Sequence, residues 1–379
     1  MMKRITLTLA IVLVAANSLF ASLPADSVLR RQAARMLMVG FKGNTVDEGC
    51  DAYRYVHDLH VGCIVLFDVD LTGTAKLGSR NVTSKDQLKT LTSQLHRWAG
   101  YPLLIAADQE GGRVARLKPQ YGFKKVVSAR YVGEVNNEDS TRYHARLLAG
   151  EMAECGVNLN LAPVVDLHNQ NCSALGAIDR CYSSDPAVVA RHAGWFVDES
   201  RKQGVACTLK HFPGHGNATA DSHLGFVDVT STYTQQELEP FKILIKQKRA
   251  PFMMTAHIIN RNIDPDYPAT LSRKFLTDIL RKQLKYDGVV ITDDLYMQAI
   301  SNKYSIERAV VLAINAGADM LCASNNINTG FEADRPYKLI DIIVKAVKEG
   351  RIPYSRILES NRRIDRAARQ VSHPTETKK

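Results

Sequence analysis

The sequence predicts an α/β fold, a single-domain (β/α)8 barrel, and three observations carry that prediction. Eight short apolar runs recur along the 379 residues. Amphipathic stretches of helical period alternate with them, the order expected of a parallel sheet. Nearly every run ends in a residue able to do chemistry: Asp108, Asp166, Lys210 with His211, His257, and Asp293 with Asp294. In such barrels the C-terminal ends of the strands converge on one mouth, where reactive residues gather. A doubly wound open sheet is the alternative use of the same alternation.

The runs are "MLMVGF", "VGCIVLF", "PLLIAAD", "VNLNLAPVVD", "VACTLKHF", "PFMMTAHI", "DGVVITDDL" and "ADMLCAS". They are continuous rather than alternating, as strands covered on both faces should be. Between them lie "SKDQLKTLTSQLHRWAG", "DPAVVARHAGWFVDESRKQG", "TQQELEPFKILIKQKRA" and "SIERAVVLAINAGAD". Several open on Ser, Thr or Asp, which cap helix N-termini, and close near Gly, which ends helices. No Gly/Ser/Pro linker interrupts the pattern, so residues 23–370 read as one domain. From Leu339 onward the chain reads as a last helix plus a wrap, and residues 371–379 as a disordered tail.

A composition of 45% apolar and 23% charged residues is that of a soluble globular protein. The formal charge of +10 favours anionic surroundings. The basic residues are scattered, with no basic-aromatic repeat, which argues against a nucleic-acid partner. The N-terminus begins with "MMKR", continues with the apolar "ITLTLAIVLVAA" and ends in small residues, the layout of a secretory signal. Residues 1–22 are therefore expected to be cleaved, between Leu19 and Leu23, leaving an exported, periplasmic or secreted monomer. The apolar run is shorter than the roughly 20 residues that cross a bilayer; an uncleaved anchor is the alternative. Of the seven cysteines, Cys63, Cys207 and Cys322 sit in core-like runs. Cys172 and Cys181 lie close together in a polar stretch and could pair in an oxidising compartment.

The densest chemistry is "KHFPGHGNATADSH", Lys210 to His223. His211, His215, Asp221 and His223 are metal-ligand types, but Lys210 would place a cation beside the ion. His215 also reads as a brace for the "FPGHG" turn. In an extended segment residues two apart share a side, so Asp221 can reach His223. Such a carboxylate fixes the ring tautomer and stabilises imidazolium, letting the histidine donate a proton and later take one from water. No metal and no cofactor are required by that chemistry.

"GVVITDDLYM" supplies the partner. Adjacent strand residues face opposite ways, so Asp293, first off the strand, is the candidate nucleophile and Asp294 a cap for the following turn. Substrate-assisted cleavage, with one acid orienting an acetamido group, is the alternative use of neighbouring carboxylates. In "AADQEGGRVARL", Asp108 ends a run, Gly111 and Gly112 permit a sharp turn, and Arg113 and Arg116 follow. A carboxylate can accept from adjacent sugar hydroxyls while an arginine brackets them.

Together "ADQEGGRVARL", "IDRCYSSDP", "KHFPGHGNATADSH", "MTAHI" and "VVITDDLYM" resemble the ordered motifs of family 3 glycoside hydrolases, and of their β-N-acetylglucosaminidase subfamily in particular. The resemblance spans Ala33 to Ala323, and the chain's length matches the single-domain branch. It implies a retaining exo-β-N-acetylglucosaminidase with Asp293 as nucleophile, His223 as acid/base and Asp221 as its partner. It also implies that Asp108, Arg116, Arg180, Lys210 and His211 hold a terminal N-acetylglucosamine. The implied partner is a carbohydrate, a glycan or a peptidoglycan fragment. Two features depart from the pattern: Cys181 follows Arg180 where serine is common, and export is unlike the cytoplasmic members that recycle cell wall. Phosphorolysis, other β-glycosidase specificities and a silent glycan-binding barrel remain the alternatives.

Overall fold

The apolar runs become eight parallel strands arranged in one sheet. They are β1 (Leu37–Val39), β2 (Cys63–Leu66), β3 (Leu104–Ala107), β4 (Leu159–Asn160), β5 (Ala206–Phe212), β6 (Phe252–Thr255), β7 (Val289–Ile291) and β8 (Leu321–Ala323). The computed structural model describes residues 23–73, 75–218, 225, 227–327 and 330–372. The expected signal at 1–22, the Asp221/His223 pair and tail residues 373–379 lie outside the described residues.

Consecutive strands pair in parallel from β1 to β7, with a shift of register between Leu209 and Phe212 where β5 meets β6, and β1 also pairs with β8 through Leu37–Leu321. The circle closes at a parallel bridge between Ile291 and Met320, where Thr292 N–H donates to the Met320 carbonyl at 2.9 Å. The alternation thus resolves as a barrel, not an open sheet. Every residue of these strands is buried, which is why they carry no polar alternation.

Helices α1 (Asp26–Arg35), α2 (Lys85–Ala99), α3 (Glu138–Glu154), α4 (Pro186–Lys202), α5 (Glu239–Lys246), α6 (Ile306–Ala316), α7 (Arg335–Lys348) and α8 (Tyr354–Ser372) surround the barrel, with π-helical segments at Arg54–Leu59 and Lys274–Gln283. The caps are the ones the sequence suggested. Ser84 accepts from Gln87 N–H, Asp185 from Ala187 N–H, and Ser305 from Arg308 N–H. "TQQELEPF" differs: it forms a 3₁₀ turn over Gln235–Leu238 before α5 begins at Glu239. Pro240 has no N–H to continue an earlier helix, so it is accommodated in the first α-turn. The last helix runs through Ser372, into the stretch expected to be disordered.

The closed N-terminal end is fastened by charge. Buried Asp319 takes Arg281 at 2.5 Å, Arg363 at 3.2 Å and Arg356 at 3.4 Å, tying α8 beneath β7 and β8. Among the described residues no helix is long and apolar enough to cross a membrane. The bridge envisaged between Cys172 and Cys181 is not formed: both are buried free thiols, and Cys172 Sγ instead points at the His215 carbonyl at 3.6 Å.

Candidate active site

The mouth is built outward from the strand ends. Asn160, the last residue of β4, accepts from Gln109 N–H at 3.1 Å and donates to its carbonyl at 3.0 Å. That clamp launches a short antiparallel hairpin, Gln109–Gly111 with Val114–Ala115, directly off β3. Gly111 and Gly112 make its turn at φ of +95° and +59°. A Cβ on Gly111 would come within 2.3 Å of the Val127 carbonyl, so the glycine is required by space as well as by backbone angle. Gln109 then ties the two strands, accepting from Arg116 and Leu117 N–H and donating to the Leu117 carbonyl.

The hairpin presents Asp108, Glu110 and Arg116 to a buried ion-pair network. Asp108 accepts from Lys210 Nζ of β5 and from Arg116, each at 2.8 Å. Glu110 accepts both arms of the Arg180 guanidinium at 2.8 Å and Lys210 Nζ at 2.7 Å. Burial alone would raise the Asp108 carboxyl, but Lys210 and Arg116 overcome it and hold the group ionised well below its ordinary value. Burial likewise works against ionised Glu110, and Arg180 and Lys210 outweigh it. Arg180 is further fixed on the Ala174 carbonyl at 2.8 Å, a restraint that needs no disulfide.

His211 and His215 are organised by Asp166, which follows β4. Asp166 accepts from His211 Nδ1 at 2.7 Å, from His211 N–H at 3.1 Å and from His215 N–H at 2.8 Å. Despite its burial this carboxyl is held ionised, chiefly by His211, so it acts as an acceptor and fixes the Nδ1–H tautomer of that ring. The His215 ring is pushed down to about 4, by burial first and by His211 second, and is neutral at pH 7.

Asp293 leaves β7 half-buried, with Oδ1 accepting from Asp294 N–H at 2.8 Å. It lies close enough to pull electrostatically on His215. Asp294 turns the other way and caps the turn through Tyr296 N–H at 2.9 Å. Its second oxygen takes Ser324 N–H at 2.9 Å and the Ser324 hydroxyl. Burial raises its carboxyl. The two acids therefore divide as their alternation implied.

The structure thus brings Asp108, Arg116, Arg180 and Lys210 into one network, with His211 and Asp293 at the same mouth. Two acids of this region were missed in the sequence. Glu110 stands two residues from Asp108 on a strand, so the same-face rule could have found it. Glu237 gave no local signal. It is buried, and its two oxygens accept from Gly216 N–H at 3.0 Å and Asn217 N–H at 2.9 Å, directly before the segment holding Asp221 and His223.

Burial, reinforced by Asp166, raises the Glu237 carboxyl from 4.5 to about 7. An acid whose pKa is higher in the folded state stabilises most below its unfolded value and loses that contribution as pH rises to its folded value. Between pH 4.5 and about 7, Glu237 should thus cost the fold up to about 3 kcal/mol. Melting curves across this range should show the wild type losing ground to Glu237→Gln as pH rises. Parallel curves would refute the shift.

A closed parallel barrel with a charged, hydrogen-bonding mouth and a carboxylate at a strand end is the architecture of a barrel enzyme whose mouth takes a polar substrate. The description "Glycosyl hydrolase family 3 N terminal domain" matches residues 28–367, and the chain belongs to that family. It is 36% identical over 305 residues to a β-hexosaminidase of Nitrosomonas eutropha, covering 78% of this chain and 82% of that protein. A β-hexosaminidase of Idiomarina loihiensis is 37% identical over 257 residues, 66% of this chain and 76% of its own. Among solved structures, a family 3 β-N-acetylglucosaminidase from Paenibacillus sp. aligns with a TM-score of 0.81 at 32% identity, over 93% of this chain and 64% of that one. A β-N-acetylhexosaminidase from Beutenbergia cavernae aligns at 0.78 and 28% identity, over 92% of this chain and 99% of its own.

Proposed function

We propose that this chain is a retaining exo-β-N-acetylglucosaminidase that releases terminal N-acetylglucosamine from glycans or peptidoglycan fragments. The relatives place it among glycoside hydrolases of the β-N-acetylhexosaminidase type. The observation that carries the residue assignment is the ionised Asp108, gripped by Lys210 and Arg116 at the mouth where Asp293 emerges. Asp108 is left with acceptor capacity for sugar hydroxyls, while Lys210, Arg116 and Arg180 supply donors and Nε2 of His211 supplies an acceptor.

In the first step a carboxylate oxygen of Asp293 attacks the anomeric carbon. Protonated His223, partnered by Asp221, gives its proton to the leaving oxygen as the glycosidic bond breaks. In the second, neutral His223 takes a proton from water, which displaces Asp293 and restores the starting configuration. Many retaining enzymes use two carboxylates about 5–5.5 Å apart; a histidine in the second role cycles near neutral pH. A neutral His215 adds no positive charge beside Asp293.

The same proposal includes export, on the charged-then-apolar layout of residues 1–22. The test is a side-by-side assay of aryl β-glycosides of N-acetylglucosamine, glucose and xylose. The N-acetylglucosaminide should be turned over at least about a hundredfold faster per enzyme. Equal rates, or a preference for glucose or xylose, would overturn the specificity.

A further inference from the structure

The hairpin after β3 has two faces, and only one belongs to the network just described. Asp108, Glu110 and Arg116 alternate with Gln109, Ala115 and Leu117, which line a separate cleft of about 500 Å³ on the other side. Its opposite wall is Val126, Val127 and Ser128, with Tyr131 from the short helix Ala129–Val135. Tyr131 is a large aromatic left 49% exposed, although a cleft that could shelter it lies beside it.

The charge of this cleft is one-sided. Arg113, Lys118, Lys124 and Lys125 line it, against one carboxylate, Asp179, among its described lining residues. Lys118 is occupied by Asp68 at 2.5 Å. Arg113, Lys124 and Lys125 are exposed, and no ion pair joins them to a carboxylate among the described residues. Three free cations around a concave, apolar-walled slot with an exposed tyrosine ask for a ligand that is ringed, flat-faced and anionic. A bilayer surface is not concave, and a bare phosphate would leave the tyrosine and the apolar wall unused.

We propose that this cleft is an accessory binding site for an anionic saccharide chain, a carboxylate-bearing polysaccharide that stacks a pyranose ring on Tyr131 and pairs its carboxylates with Arg113, Lys124 and Lys125. The site lies on the reverse of the hairpin and does not depend on the residues proposed for bond cleavage. Its effect is to hold the enzyme on a polymer, raising the local concentration of chain ends at the barrel mouth.

The test uses the full chain and an oligogalacturonate, which carries carboxylates but no N-acetylglucosamine, with titration calorimetry as the readout. Oligogalacturonate should bind, a neutral malto-oligosaccharide should not, and saturating N-acetylglucosamine should leave the binding unchanged. Lys124→Glu with Lys125→Glu should weaken it by about tenfold, and Tyr131→Ala by about threefold. Lys246→Glu with Lys274→Glu makes the same change of net charge on exposed lysines of other elements and should have no such effect. Hydrolysis of a small aryl N-acetylglucosaminide should be the same in all these variants. Four results would overturn the proposal: equal weakening by the two lysine pairs, no effect of Tyr131→Ala, displacement by N-acetylglucosamine, or polyphosphate binding as tightly with the same variant pattern.

Discussion

Replacing Asp293 with alanine should lower kcat/KM for an aryl N-acetylglucosaminide by about 10³-fold or more, some 4 kcal/mol of transition-state stabilisation. The fold should survive, because Asp293 is half-buried at the mouth rather than packed in the core. Asp294 cannot stand in for it. One of its oxygens is held by Tyr296 N–H and the other by Ser324, and burial disfavours its ionised form. Azide supplied to Asp293→Ala should enter the vacated space, attack from the nucleophile's side and yield the glycosyl azide of inverted configuration. Near-wild-type turnover in this variant would remove Asp293 from the mechanism. Loss of activity in Asp294→Ala with a normal melting temperature would move the nucleophile by one residue.

The sequence disclosed the barrel because each of its determinants is local. Strands such as "CIVL" and "LIAA" are buried on both sides and so announce themselves without any partner being known. Caps such as Ser84 and Asp185 act within four residues of themselves. What stayed hidden is non-local. Lys210 and Asp108 are 102 residues apart, and Arg180 and Glu110 are 70 apart; only closure of the sheet decides which cation meets which acid. Glu110 was still within reach through its alternation with Asp108. Glu237 was not: its role depends on how the long loop between β5 and α5 folds back on itself, 20 residues from Asn217, and an acid in an amphipathic stretch reads as surface. The π-helical segments Arg54–Leu59 and Lys274–Gln283 also left no pattern distinct from ordinary helix. The Cys172/Cys181 bridge failed for a related reason, since proximity along the chain does not fix where buried thiols point.

A single change at Glu110 should do great harm to stability. Its side chain is 3% exposed and answers two cations, Arg180 at 12% and Lys210 at 2%. In Glu110→Ala those cations would share only Asp108, leaving positive charge buried without compensation. Breaking such a pair costs about 3–5 kcal/mol, which for a domain of this size is a fall in Tm of roughly 5 °C. The pH dependence has a definite sign. A carboxyl depressed on folding stabilises above its unfolded value, here 4.5, and loses that contribution as pH falls below it. The gap between wild type and Glu110→Ala should therefore be full at pH 7 and shrink in stronger acid. Stability and sugar binding can then be separated with Glu110→Leu combined with Arg180→Met, which removes the Glu110–Arg180 ion pair together and fills its volume with apolar atoms. That double variant should regain much of the lost Tm, yet keep a raised KM for N-acetylglucosaminides because the Arg180 donors are gone. Recovery of both Tm and KM would show that Arg180 is there to balance Glu110 rather than to hold the sugar.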